Sequence, residues 1–189
     1  MDTKLKIIII FSFVYLTIEN LINERQKRKE NIVISGDKGS IWVTITLIII
    51  GNLLSFSIAA TNIGRIYYWE TFLLIGIIFT TIGLIIRIGS IMTLKDFYTY
   101  TVTKIEKHEL VETGLYKRIR HPAYLGQLIV FIGISISTSN WLSIVLMIAS
   151  ILPGYMYRIK VEESFMVEHF GQRYLDYQKR TKRWIPGII

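Results

Sequence analysis

A chain of 189 residues, of which 51% are hydrophobic and only 19% charged, has a positive mean hydropathy of +0.43, so a soluble domain of this size would have to bury an unusual number of isoleucines. We therefore expect an integral membrane protein. The absence of cysteine excludes disulfides and thiolate chemistry, and three scattered histidines do not indicate a metal centre. The basic residues behind the net charge of +8 lie beside hydrophobic segments, which indicates contact with anionic lipids rather than nucleic acid.

The first apolar segment runs from Leu5 to Ile22 and is followed by a cluster of charged residues at 24–30. We predict a membrane span here rather than a cleaved signal peptide, because no small-residue cleavage site follows the apolar run. Near the end of this span we expect the carboxylate of Glu19 to snorkel to the lipid headgroups. The stretch 31–40 contains the turn-forming run Ser35-Gly36-Asp37-Lys38-Gly39 and predicts only a loop.

The second and third spans are predicted at Ile41 to Ala60 and at Tyr67 to about Met92, each close to the ~20 apolar residues that cross a bilayer. Trp42 and the aromatic run at 67–69 lie at span ends, where such rings anchor to headgroups. Two alternatives are open for Arg87, which follows a strongly apolar run. Its guanidinium either snorkels to the cytoplasmic headgroups or turns inward to a polar cavity.

Two further apolar stretches, Tyr124 to Thr138 and Trp141 to Tyr157, are separated only by Ser139 and Asn140. A link this short predicts an antiparallel helix hairpin. The polar remainder predicts a carboxyl-terminal helix from Arg158 to about Lys179.

The basic residues also predict the topology. The regions 24–40, 93–122 and 158–189 together contain 18 of the 22 lysines and arginines. The positive-inside rule then places these regions in the cytoplasm and the amino terminus outside. We predict an all-α integral membrane protein with about five transmembrane helices, including a tight helix hairpin, and a carboxyl-terminal helix. We divide it into a two-span membrane region at 1–66 and a second region at 67–189.

The most informative polar stretch is KIEKHELVETGLYKRIRHPAYLG at 104–126. It leads directly into an apolar helix, with Pro122 in the first helical position. The free N–H groups of such a helix start suit a carboxylate or a phosphate. This stretch therefore indicates a site for a charged cofactor at the edge of the membrane.

Three blocks in a fixed order carry a resemblance to a known family. They are GLYKRIRHPAYLG at 114–126, then Arg158 with Glu162-Glu163, and then HFGQRYLDYQKRTKRWIP at 169–186. Together they resemble the isoprenylcysteine carboxyl methyltransferases, membrane enzymes related to the phospholipid methyltransferases, over roughly residues 75–186. The resemblance implies S-adenosyl-L-methionine as cofactor and a lipophilic or prenylated acceptor that enters from the bilayer.

The resemblance also implies that residues 67–189 form a methyltransferase-like catalytic region with a cytoplasmic cofactor pocket, and it implies the site residues. The cofactor would be bound by His108, Glu109, Leu110, Val111, Tyr116, His121, Pro122, Ala123 and Tyr124. Arg158 and Glu162 would serve the methyl acceptor, and Thr101 is the counterpart of a polar residue that touches the cofactor in this family. The residue types agree with these roles, because apolar side chains suit an adenine and an aromatic face attracts a sulfonium cation.

Four functions remain open from the sequence. The leading hypothesis is methyl transfer to a carboxylate, which Arg158 would hold and Glu162 would support by fixing Arg158. A phospholipid amine N-methyltransferase would instead need a base, a role open to Glu162 or Glu163. A sterol-type reductase using NADPH and a membrane protein without catalytic activity are the other two.

Overall fold

The computed structural model describes residues 10, 12–15, 17–22, 24, 32–99, 102–105 and 109–184. In chain order they form α1 (Ser12–Ile22), β1 (Ile32–Ser35), α2 (Ser40–Ala59), α3 (Trp69–Leu94), β2 (Thr103–Ile105), α4 (Pro122–Ser137), α5 (Trp141–Phe170) and α6 (Gln172–Arg180). Two 3₁₀ turns lie at Lys95–Phe97 and Gly114–Lys117. The predicted, mostly helical architecture is confirmed.

Three of these helices, α2, α3 and α5, are long and apolar enough to cross a membrane, judged by length and composition. The helices α1 and α4 are apolar but shorter. Large apolar side chains such as Leu53, Leu74 and Ile85 are mostly exposed on α2 and α3, as expected of surfaces that face lipid. An integral membrane protein is thereby supported, and the count of five spans stays a prediction.

The helices α3 and α4 run antiparallel with their backbones in close contact. Gly76 and Gly83 on α3 face Gly133 and Gly126 on α4, and a Cβ atom at Gly83 would lie 2.6 Å from the carbonyl oxygen of Gly126. Spaced small residues allow membrane helices to approach this closely. The contact brings Arg87, one turn beyond Gly83, against the first turn of α4.

The helices α2 and α5 form a second antiparallel pair. Ser55 Oγ lies within hydrogen-bond distance of Ser143 Oγ near one end, and Thr44 Oγ1 donates to the Gly154 carbonyl oxygen over 3.3 Å towards the other. Between this pair and the α3–α4 pair lies the main apolar core, formed by Val130, Phe131, Ile134, Met147, Ile151, Tyr155 and Ile159.

The predicted helix hairpin is present between α4 and α5. Its turn contains Ser139, which has a positive φ of 54°. Asn140 caps the second helix, because its side-chain oxygen accepts hydrogen bonds from the backbone N–H groups of Leu142 and Ser143.

The second arm of the hairpin is longer than predicted. The sequence predicts its end at Tyr157 and a separate polar helix from Arg158 to Lys179, but one continuous helix reaches Phe170. The break comes at Gly171, whose φ of 56° is a conformation that glycine adopts without strain. The polar half of α5 therefore continues the hairpin helix, and Arg158, Glu162 and Glu163 lie on it.

A short antiparallel sheet was not predicted. Ser35 of β1 pairs with Thr103 of β2, and the Gly36 N–H donates to the Val102 carbonyl oxygen over 2.8 Å. The sheet and the α2–α5 pair both join residues on the two sides of position 66. The division into 1–66 and 67–189 stays a prediction from sequence, and extensive contacts run across it.

Candidate active site

A cavity of about 1200 Å³, including its open mouth, lies at the end of the helix bundle where α4 begins. Its wall combines side chains from α2, α3, α4, α5 and α6 with the segment that connects α3 to α4. The mixed polar and apolar lining of this cavity is typical of small-molecule sites.

Most of the residues predicted for the site line this one cavity. They are Glu109, Leu110, Val111, Tyr116, His121, Ala123, Tyr124, Arg158 and Glu162. Pro122 is buried at the first position of α4, beside the wall. His108 and Thr101 lie outside the described residues.

The start of α4 is fixed by the carboxyl-terminal segment. The backbone N–H groups of Arg120 and His121 donate to the carbonyl oxygens of Lys182 and Arg183 over 2.7 and 3.0 Å. His121 makes no side-chain cap to the helix, and Pro122 provides no N–H group. The first turn of α4 therefore reaches the cavity with its backbone N–H groups uncapped by His121.

Glu163, on α5, connects the start of α4 to the carboxyl-terminal segment. Its Oε1 accepts a hydrogen bond from Arg120 Nε over 2.8 Å and lies 3.3 Å from His121 Nε2. Its Oε2 accepts two hydrogen bonds from Arg183, of 3.0 and 2.8 Å. Because both carboxylate oxygens are engaged with cations and a buried imidazole, Glu163 is a structural residue and a poor general base.

Arg158, Tyr124 and Glu162 form a chain of hydrogen bonds in the cavity wall. Arg158 Nε donates to the Tyr124 hydroxyl over 2.8 Å, and that hydroxyl donates to Glu162 Oε2 over 2.8 Å. Arg158 is only 3% exposed, whereas 32% of the Glu162 side chain is exposed. The two residues face the same cavity, as their spacing predicts, and Tyr124 joins them.

Asp37 is a buried partner of Arg158 that the sequence analysis does not single out. Arg158 Nη1 donates to Asp37 Oδ1 over 2.8 Å and to Ser40 Oγ over 3.0 Å. Burial alone would raise the pKa of Asp37, but hydrogen bonds from Ile41 N–H and Ser40 Oγ and the guanidinium charge together lower it below its usual value. The prediction of only a loop at 31–40 is therefore wrong, because Ile32–Ser35 form β1 and Asp37, in the turn that follows, pairs with a buried arginine.

The sequence offers one weak signal for Asp37. An aspartate three residues before Ser40, at the start of an apolar helix, is typical of a residue that accepts hydrogen bonds at a helix start. That signal explains the contacts with Ser40 and Ile41. It does not indicate the partner on α5, which is 121 positions away in the chain.

Arg87 and Glu19 form a buried ion pair. Arg87 Nε and Nη2 donate to the two Glu19 carboxylate oxygens over 3.0 and 3.1 Å, and the two residues are 4% and 8% exposed. Arg87 also donates to the Tyr98 hydroxyl and the Ala123 carbonyl oxygen. Of the two alternatives for Arg87, the inward one is correct, since it lines the cavity. The expectation that Glu19 snorkels to the headgroups is wrong.

The opposite wall is apolar and aromatic. Leu110 packs with Tyr174 and Tyr177 in a small buried cluster, and the Tyr177 hydroxyl donates to the Tyr116 carbonyl oxygen over 2.7 Å. Burial raises the pKa of Tyr116 well above its usual value, so its ring stays neutral. Such a wall suits a flat heterocycle, and the face of an aromatic ring attracts a cation. Within the described ranges, no group of three or more His, Asp or Glu side chains could hold a metal ion.

The phospholipid methyltransferase family model matches residues 71–173, which is more than half of the chain. The chain belongs to the phospholipid methyltransferase family. The matched range includes α3, α4 and α5, and thus Arg87, Arg158 and Glu162, but it does not include Glu19 or Asp37.

Curated relatives of this family member give the same picture. Over 116 residues the chain is 34% identical to protein-S-isoprenylcysteine O-methyltransferase A of Arabidopsis thaliana, covering 60% of this chain and 58% of that protein. It is also 34% identical over 116 residues to the Saccharomyces cerevisiae protein-S-isoprenylcysteine O-methyltransferase, covering 60% and 48%. The chain thus spans about half the length of the curated relatives it matches.

A solved structure is similar as well. The structure of the eukaryotic intramembrane Ras methyltransferase, isoprenylcysteine carboxyl methyltransferase, matches with a TM-score of 0.56 and 28% identity. The match covers 82% of this chain and 55% of that one. The resemblance seen in the three sequence blocks is therefore confirmed by relatives and by fold.

Proposed function

We propose that the protein is an S-adenosyl-L-methionine-dependent methyltransferase of the membrane that methylates the carboxylate of a lipophilic, isoprenylcysteine-like acceptor. The observation that carries the proposal is the position of Arg158. Its buried guanidinium lies in the cavity wall beside the first turn of α2, and Ile41, Ile45 and Ile48 on α2 line the same cavity. A charged head and an apolar chain would thus find matching surfaces in one site.

The residues present fit S-adenosyl-L-methionine. Leu110 and Val111 provide an apolar wall for the adenine, and the buried Tyr116 ring provides a face for the sulfonium. The first turn of α4 provides backbone N–H groups for the amino-acid carboxylate. When bound, the cofactor supplies an activated methyl group for transfer to a nucleophile.

The acceptor side needs alignment more than acid–base chemistry. A carboxylate is already ionised at neutral pH, so Arg158 has to orient it and the apolar wall has to exclude water. A guanidinium presents several N–H donors in one plane, and its contacts with Asp37, Ser40 and Tyr124 hold that plane in place. Tyr124 and Glu162 would then limit how the head of the acceptor can lie.

The second candidate is an amine acceptor on a phospholipid, and one observation favours it. Glu162 faces the cavity, is partly exposed and accepts a hydrogen bond from Tyr124, so it can receive a proton. Glu163 is engaged by Arg120 and Arg183, which leaves Glu162 as the base that this candidate would require.

Tyr116 provides a test of the cofactor assignment. We expect Tyr116→Leu to weaken binding of S-adenosylmethionine by about 0.5–2 kcal/mol more than binding of S-adenosylhomocysteine, because only the former carries the sulfonium charge. Tyr116→Phe keeps the ring and is the matched control, for which we expect the same affinity difference as in wild type. Calorimetry of the purified protein in detergent measures both ligands. Equal losses for the two ligands in Tyr116→Leu would contradict a cation–aromatic contact.

The proposed cytoplasmic face of the site is tested by labelling. The chain has no cysteine, so single cysteines can be introduced at the exposed positions Lys117, Arg173 and Asn62 without removing any. In intact cells we expect an impermeant thiol reagent to label the cysteine at Asn62 and to spare those at Lys117 and Arg173 until the cells are permeabilised. Labelling of the cysteine at Lys117 in intact cells would contradict the predicted topology and place the site on the outer face of the membrane.

A further inference from the structure

We propose that Asp37 is a positioning residue of the acceptor site, which holds Arg158 in the orientation that faces the cavity. The inference rests on the proposed function, because an acceptor carboxylate is the group that Arg158 would bind. It also makes the turn at 36–40, which lies outside the region matched by the family, a part of the site.

The contacts of Asp37 form a closed set around the guanidinium. Asp37 Oδ1 accepts from Arg158 Nη1 over 2.8 Å and from Ser40 Oγ over 3.0 Å, while Ser40 Oγ also accepts from Arg158 Nη1. Asp37 Oδ2 accepts from the Ile41 N–H over 3.2 Å. The Asp37 carboxylate is thus held by Ser40 and Ile41 at the start of α2 independently of Arg158. Arg158 therefore pairs with a carboxylate whose position is already fixed.

The turn that contains Asp37 packs closely against α5. A Cβ atom at Gly36 would lie only 2.2 Å from the ring of Phe165, so the backbone of this turn rests directly on that ring. Phe165 lies seven residues, about two helical turns, after Arg158 and also lines the cavity. The Val102 N–H, after α3, completes the enclosure by donating to Asp37 Oδ1 over 3.4 Å.

Asp37 acts through Arg158 and does not touch the cavity. It is only 7% exposed and does not belong to the cavity wall, whereas Arg158 does. A ligand in the cavity would therefore meet the guanidinium, and the Asp37 carboxylate would lie behind it. This arrangement distinguishes a positioning residue from a catalytic one.

Glu162 is the residue that competes with Asp37 for the Arg158 guanidinium. Glu162 follows Arg158 by four positions on the same helix, a spacing at which the two side chains can pair directly. In the structure the Tyr124 hydroxyl bridges Arg158 Nε and Glu162, while Arg158 Nη1 donates to Asp37. Without the Asp37 charge, we infer that the Arg158 guanidinium pairs directly with Glu162 and no longer binds the acceptor carboxylate.

The test is a double-mutant cycle between Asp37 and Glu162. Asp37→Asn should lower kcat/KM for a prenylcysteine analogue by at least about tenfold and change the Kd of S-adenosylhomocysteine less than about twofold. Asp37→Asn/Glu162→Gln should recover several-fold activity over Asp37→Asn, since the competing carboxylate is gone. Asp176→Asn removes an exposed aspartate that pairs with Lys179, and it is the matched control expected to behave as wild type.

A rescue by the second substitution separates positioning from simple destabilisation, because removing Glu162 restores no lost fold stability. The inference is overturned if Asp37→Asn keeps wild-type kcat/KM, if it loses S-adenosylhomocysteine binding and acceptor turnover in parallel, or if Glu162→Gln gives no rescue. A wild-type protein that methylates no prenylcysteine analogue would overturn the proposed function as well. An active wild type with an unaffected Asp37→Asn variant would overturn this inference alone.

Discussion

Replacing Arg158 with alanine is expected to lower methyl transfer to a prenylcysteine analogue by at least about 100-fold, or ~2.7 kcal/mol of transition-state stabilisation. The affinity for S-adenosylhomocysteine should remain nearly unchanged, because the lost interaction is made with the acceptor. Arg158→Lys should recover little, since an ammonium cannot reproduce the planar set of donors that Asp37, Ser40 and Tyr124 hold in place. Radiolabelled methyl transfer and a separate cofactor-binding assay measure the two quantities.

Glu162→Gln is the variant that decides the chemical class of the acceptor. For a carboxylate acceptor it should do less harm than Arg158→Ala, because no base is required. For an amine acceptor the order reverses, since the base is essential and a buried cation beside a cationic substrate is unfavourable. Both variants should be assayed with the prenylcysteine analogue and with phosphatidylethanolamine. Full activity of Arg158→Ala on the prenylcysteine analogue would contradict the carboxylate proposal.

The parts of the fold that the sequence predicts well are those determined locally. The hairpin is predicted from the two residues, Ser139 and Asn140, that separate the two apolar stretches, and the start of α4 is predicted from Pro122. The end of α5 is less well predicted, because the change from apolar to polar residues after Tyr157 suggests a boundary. The helix continues past it, and Gly171 ends it instead.

The parts of the site that the sequence does not predict are its long-range charge pairs. Asp37 meets Arg158, and Glu19 meets Arg87 across 68 positions, so no local spacing indicates either pair. The two strands are too short to carry a clear alternation of apolar and polar residues. In both ion pairs the carboxylate comes from the amino-terminal region and the arginine from the region that the family model matches.

Glu19→Ala should destabilise the protein by about 3–5 kcal/mol, because it leaves the Arg87 guanidinium buried without its carboxylate. The effect should extend beyond α1. Arg87 also donates to the Ala123 carbonyl oxygen and the Tyr98 hydroxyl, both at the cavity, so a displaced guanidinium would disturb the start of α4. Chemical or thermal unfolding in detergent micelles measures the loss.

The control is a variant that removes both charges at once. Glu19→Leu/Arg87→Met exchanges the ion pair for apolar side chains and should cost less stability than Glu19→Ala, since no uncompensated charge remains. The same double variant should still lower cofactor binding or turnover, because Arg87 lines the cavity. If Glu19→Ala unfolds like wild type, α1 does not contribute a buried charge to the site. If the double variant is the less stable of the two, the cost comes from lost packing instead of an unpaired guanidinium.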